Sequence, residues 1–259
     1  MTVLGATFRP QNRPEDLRAA VKLADELGLE ELWLWEDCFL NGGISATAAA
    51  LAWSERVRVG VGLTPVPFRN VAAEAMEIAT LSRMFGDRAI VAVGHGVQEW
   101  MGQVGARAAS PLTLLREWLS ALRPLLAGEE VTTTGKYVSL DRVKLDWPPA
   151  TPPPIVVGAM GPKTLKLAGE LADATILVSS VTPDGVREAR ELIGDPAHKI
   201  IMFAPHPRGR TGDAKAVADS VREYVEAGAT SVIIEPDADE PDLHAFLRFV
   251  AEEVRPLVD

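Results

Sequence analysis

Three short clusters carry side chains that can do chemistry. The first is Gly158-Ala159-Met160-Gly161-Pro162-Lys163-Thr164, directly after the apolar run Ile155-Val156-Val157. A glycine turn opening a helix presents unpaired N–H groups and the positive end of the helix dipole, which suits a phosphate. Lys163 and Thr164 add a charge and a hydroxyl, and Pro162 suits the first helical position, where its missing N–H costs nothing. An ordinary tight strand-to-helix loop would read the same way. The second cluster is Glu36-Asp37, adjacent carboxylates that push one proton affinity upward and so suit acid-base work. A rim ion pair of Glu36 with Arg9 or Arg69 is the plainer account. The third is Gly94-His95-Gly96, an imidazole between two residues that allow close backbone approach. Cys38 reads as a packed residue, since no histidine lies near it in sequence. His206, between Pro205 and Pro207, reads as part of a structured loop, and Glu235 stands between substrate contact and rim structure. The four scattered histidines show no ligand spacing, so no metal site is expected.

The elements that must position these clusters follow from hydrophobic period. Apolar runs at 3–8, 31–35, 56–63, 89–93, 155–157, 174–178, 199–203 and 230–234 read as strands, and helical spacing fills the stretches between them. A long helix at 111–126 has Ser110 as its expected cap. Residues 137–145 read as an excursion with short strand character, and the Pro-rich run 147–154 as a stiff connection. Strict alternation implies parallel strands with right-handed crossovers, and eight units in this length match a closed (β/α)8 TIM barrel spanning 1–259 as one domain. A doubly wound sheet is the alternative, but no Gly-x-Gly-x-x-Gly follows the first strand. In a barrel the site lies at the carboxyl ends of the strands. That rule collects Arg9, Glu36, Asp37, Thr64, His95, Lys163, Thr164, Ser179, His206 and Glu235. The glycines at strand ends (60, 62, 94, 96, 158 and 161) suggest that a flat ligand needs close backbone approach.

Composition excludes several classes of function. A net charge of −10 argues against a nucleic-acid footprint. One cysteine in 259 residues excludes an internal disulfide framework and fits a reducing compartment. No apolar run approaches the roughly 18–20 residues needed to cross a bilayer, and the first residues carry no basic segment of the kind a signal peptide begins with. The expectation is a soluble cytoplasmic protein with no membrane and no nucleic-acid partner.

The run Gly94-His95-Gly96-Val97-Gln98-Glu99-Trp100-Met101 after the fourth strand resembles the luciferase-like monooxygenase superfamily, in particular its deazaflavin (coenzyme F420)-dependent oxidoreductases. Other stretches agree in order: 32–37 (LWLWED), 60–65 (GVGLTP), Phe68-Arg69-Asn70, 122–128 (LRPLLAG) and 158–169. The resemblance covers nearly the whole chain and implies hydride transfer between the cofactor and a small organic substrate. It puts the cofactor phosphate at Gly158, Ala159, Met160, Gly161, Lys163 and Thr164. The ring would lie against the end of strand three near Val61, Gly62 and Thr64, with a non-proline cis peptide at Val61-Gly62 or close to it. Gly94, His95 and Gly96 would border phosphate or ring. Several F420 enzymes carry an Asp-His pair after strand two. Here the pair is Asp37-Cys38, which leaves Glu36, Asp37 and His95 as catalytic candidates. Val97 stands where some relatives have an acid, which weakens any transfer of their substrate specificity. A homodimer is implied by analogy. The alternatives are an FMN-dependent monooxygenase of the same superfamily, needing a flavin reductase partner, and a cofactor-free barrel that binds a ligand or acts on a sugar phosphate.

Overall fold

Alternation along the strands builds two separate apolar layers in the computed structural model, which describes residues 2–205, 213–236 and 242–258. Ten strands occur in chain order among these residues: β1 Val3–Phe8, β2 Glu31–Leu34, β3 Arg58–Pro65, β4 Ala89–Gly94, β5 Val131–Thr134, β6 Ser139–Val143, β7 Val156–Gly158, β8 Ala174–Leu177, β9 Lys199–Pro205 and β10 Ser231–Glu235. Eight close into a parallel barrel in the order β1-β10-β9-β8-β7-β4-β3-β2, while β5 and β6 form a separate antiparallel pair. The expected barrel is therefore the observed one. The excursion is a full hairpin, whose first strand the polar run Val131–Thr134 concealed.

Side chains pointing inward meet in a core of their own, with Trp33, Ile90, Val156, Ile176, Ile201, Phe203 and Ile233 among its members. Those pointing outward, such as Leu32, Val59, Val61, Val93 and Val157, pack against the surrounding helices. Glycine makes the inner layer possible: a Cβ at Gly60 would stand 2.4 Å from the Trp33 ring. Phe203 caps the filling, with its ring edge-on to Trp33 at 5.4 Å and to Trp35 at 5.9 Å between centroids. Burying rings of this size is the largest single apolar contribution available to such a core.

Helix starts follow the local chemistry. Asn70 accepts from the Ala72 N–H at the head of the helix Val71–Phe85, and Thr182 accepts from Gly185 ahead of Pro183–Ile193. Ser110 holds the N-cap position of Pro111–Leu126 as expected, but makes no side-chain bond to the helix backbone; its hydroxyl pairs with that of Thr113, at 2.7 Å. A short helix, Gln98–Gln103, follows the His95 loop and was not visible as a periodic pattern. No helix among the described residues is long and apolar enough to cross a membrane.

Candidate active site

One cavity of about 470 Å³ opens at the carboxyl ends of the barrel strands, within the range of small-molecule and cofactor sites. Its floor is the top of the inner core: Gly62, Leu63, Ile176 and Phe203. Two unlike rims rise from that floor. One is built by the loops after β4 and β7, and contributes His95, Gly96, Ala159, Met160, Gly161 and Thr164. The other is built after β10 and β2, with Glu235, Trp35, Glu36 and Asp37.

The first rim is largely backbone. Gly161 precedes the helix Pro162–Leu171 in an extended conformation, and no side chain caps that helix. Nothing lies within 4 Å of where a Gly161 Cβ would be, so its face is open to a ligand. The first-turn N–H groups of such a helix have no partner within it. His95 Nε2 lies 3.2 Å from Thr164 Oγ1 and ties the β4 loop to this helix. Burial lowers the His95 pKa, so the ring is neutral, and its buried Nδ1 has no partner among the described residues. An orphaned polar atom beside an uncapped helix start fits an anionic group with acceptor and donor oxygens.

The second rim is made of charged side chains. Glu36 is clamped: Arg69 donates to both carboxylate oxygens, at 2.5 and 2.7 Å, and the Gly43 N–H donates to Oε2 at 2.7 Å. The rim ion pair weighed from sequence therefore exists, with Arg69 as partner. Asp37 is different. Burial pushes its pKa up and the Arg9 guanidinium pulls it back down. The cause is desolvation, not the neighbouring Glu36. Glu235 shows the same pattern, raised by burial and lowered by a Ser179 hydrogen bond and by Arg9. Since β1 lies between β10 and β2 in the barrel, Arg9 follows the strand between the two acids, with its guanidinium 6.0 Å from the Trp35 ring centre.

Several expected contacts fall elsewhere. Thr64 is 1% exposed and faces away from the cavity, bonded to Glu74 Oε1 at 2.7 Å and to the Ala92 carbonyl at 3.2 Å. A shift in the β3–β4 register between Val61 and Thr64 is the reason. Strict alternation from Gly60 and Gly62 would have turned Thr64 inward, and one slipped residue exchanges the faces. Val61 packs outward against the helices, and the cis peptide is Gly62-Leu63, one bond later than the pair first named; a second lies at Cys38-Phe39. Gly158 lines the cavity, and Gly94 does not. Cβ atoms there would lie 2.7 and 2.2 Å from Leu63 Cδ2, so these glycines make room for Leu63, which forms the wall. Lys163 is exposed and does not line the cavity. His206 lies outside the described residues. Leu63, Ile176, Val178 and Phe203 line the cavity without having been anticipated, because each reads as an ordinary strand or strand-end apolar residue. No group of three His, Cys, Asp or Glu that could hold a metal occurs among the described residues.

The family model described as luciferase-like monooxygenase matches residues 2–200. The chain belongs to the luciferase-like monooxygenase family. It is 29% identical over 248 residues to the 5,10-methylenetetrahydromethanopterin reductase of Methanolobus tindarius, covering 92% of this chain and 75% of that protein. It is 30% identical over 189 residues to the F420-dependent glucose-6-phosphate dehydrogenase of Nakamurella multipartita, covering 66% of this chain and 54% of that one. The solved coenzyme F420-dependent tetrahydromethanopterin reductase of Methanopyrus kandleri shares the fold at a TM-score of 0.86 and 20% identity, over 100% of this chain and 99% of that structure.

Proposed function

We propose that this chain is an oxidoreductase that transfers a hydride between a deazaflavin, coenzyme F420, and a small organic substrate. The single observation that carries the reading is an apolar cavity with an open, uncapped helix start on one rim and partly desolvated carboxyls, Asp37 and Glu235, on the other. When bound, the deazaflavin supplies a ring carbon that gives or takes a hydride and does not activate oxygen. The residues divide the remaining tasks. Backbone N–H groups at Met160, Gly161 and Lys163, with the Thr164 hydroxyl and neutral His95, hold the phosphate. Gly96 and Ala159 border it, and Gly94 and Gly158 keep Leu63 seated as a wall for the ring beside Gly62. Asp37 exchanges the proton that must accompany the hydride, because burial keeps its carboxyl protonated to higher pH than usual. Glu36, held by both Arg69 hydrogen bonds and by the Gly43 N–H, shapes the wall.

The word monooxygenase in the family's description supports a second reading, for which we take an FMN-dependent enzyme served by a flavin reductase. Fluorescence titration separates the two: saturable quenching by coenzyme F420, with FMN binding at least tenfold weaker (about 1.4 kcal/mol), is expected. Saturation by FMN without F420 binding overturns the proposal in favour of the monooxygenase, and binding of neither favours a cofactor-free barrel. The helix Gly43–Trp53 is apolar almost throughout, and Met76 and Met84 on the next helix are 61% and 65% exposed. These faces suit a homodimer. A single cysteine and the absence of a long apolar helix among the described residues fit a cytoplasmic location.

A further inference from the structure

Behind the Glu36 wall lies a buried carboxyl that the reaction does not use. Glu74, on the helix Val71–Phe85, is 0% exposed. Its Oε1 is 2.7 Å from Thr64 Oγ1, and its Oε2 makes an ion-pair contact of 2.9 Å with Arg69 Nε. Thr64 Oγ1 also lies 3.2 Å from the Ala92 carbonyl oxygen. A hydroxyl has one hydrogen. If Glu74 were ionised, Thr64 would face two acceptors with a single donor, and one contact would be oxygen against oxygen. A proton on Glu74 Oε1 resolves the chain: Glu74 donates to Thr64, and Thr64 donates to Ala92. Charge points the same way. Arg69 already serves Glu36 with two hydrogen bonds and has the half-exposed Glu77 carboxylate 3.6 Å from Nε. One guanidinium cannot offset three carboxylates at a site this buried.

We propose that Glu74 carries a proton on the acid side of neutrality and gives it up as pH rises and, as a positioning residue, holds the cavity wall by fixing Thr64 at the end of β3 and Arg69 beneath Glu36. Loss of that proton puts a second negative charge on the Glu36–Arg69 clamp and an acceptor against Thr64. The wall that receives the cofactor ring then loosens as pH rises. The groups facing Glu74 are Thr64, Arg69, Glu77 and Glu36. Burial is the leading cause that pushes its pKa up to about 7 from the usual 4.5, Thr64 and Arg69 pull it down, and the other two carboxylates raise it. An acid whose proton affinity is higher in the folded state stabilises the fold fully below 4.5, and that contribution fades as pH climbs through about 7.

The inference rests on the deazaflavin reading for its second half only, and the test keeps the halves apart. Glu74→Gln imitates the protonated acid: its amide can donate to Thr64 and its carbonyl can accept from Arg69. Without ligand, the melting temperature of the wild type should fall relative to Glu74→Gln between about pH 5 and pH 8. Parallel curves would mean no proton is held, and the proposal is overturned. With coenzyme F420 as probe, the wild-type Kd divided by the Glu74→Gln Kd should rise at least about fivefold over the same span, an ordinary size for coupling between sites; the ratio removes any titration of the cofactor itself. Glu74→Ala should bind weakly at every pH. A flat ratio alongside a wild-type melting temperature that falls relative to Glu74→Gln shows a held proton with no hold on the wall, and overturns the positioning role. If the wild type binds no F420 at any pH, the cofactor reading fails, and the positioning half fails with it; the melting curves still decide the proton.

Discussion

The two rims of the barrel mouth solve one problem by opposite means. After β4 and β7, polarity comes from backbone at a helix start, supported by a neutral imidazole and a hydroxyl. After β10, β1 and β2 it comes from side chains: two carboxyls, one arginine between them, and a third carboxylate locked to Arg69. Backbone donors are fixed by the fold and carry no titration, so the backbone share of the first rim's grip on an anionic cofactor does not change with pH, and pH dependence enters through side chains such as Glu74. Side-chain acids in a partly desolvated setting change proton content, so the second rim is where a proton can be exchanged. On the proposed reading, the contrast gives binding to one rim and chemistry to the other.

The comparison breaks most visibly at Asp37. Asp37→Asn keeps shape and removes the exchangeable proton, so turnover should fall by about 10²–10⁴-fold while F420 affinity stays within twofold. The check is the rate of change in deazaflavin absorbance against a panel of small alcohols and ketones, set beside the fluorescence Kd. Equal losses in both would erase the division of labour. Next in size is Gly158→Val. Its Cβ would stand 2.2 Å from Leu63 Cδ2, so the wall must move. F420 affinity should drop by roughly 100-fold, with about 1–3 kcal/mol lost in denaturant unfolding, the usual cost of overpacking. Unchanged binding would show that Leu63 is not the ring's wall. The smallest effect sharpens the first rim. Lys163 is exposed and outside the cavity, so Lys163→Ala should weaken F420 binding less than about threefold, the modest worth of a screened surface charge. A loss of tenfold or more would restore the lysine to the cradle.

Much of this was legible before any coordinates. The barrel follows from eight apolar runs with helical spacing between them, because period is a local property. The helix start at Pro162 is equally local. What eluded the sequence depends on non-local geometry. Thr64 was expected to face the ligand because alternation says so, and a register shift that leaves no trace in residue types turned it outward. The glycines of β3, β4 and β7 announced close approach correctly, but not that part of it is internal: Trp33 packs against Gly60, and Leu63 against Gly94 and Gly158. Arg69 and Glu36 are 33 residues apart, so which of Arg9 and Arg69 would pair with Glu36 was a question only packing could answer. Glu74 looked like one more acid on a helix, and burial made it distinctive.

The most direct test of the central claim is a crystal structure with coenzyme F420 bound. The account predicts its phosphate on the Met160, Gly161 and Lys163 N–H groups, its ring over Leu63 and Phe203, and Asp37 on the side left for substrate. A phosphate on the Asp37–Arg9–Glu235 rim, or a ring outside this cavity, would contradict it.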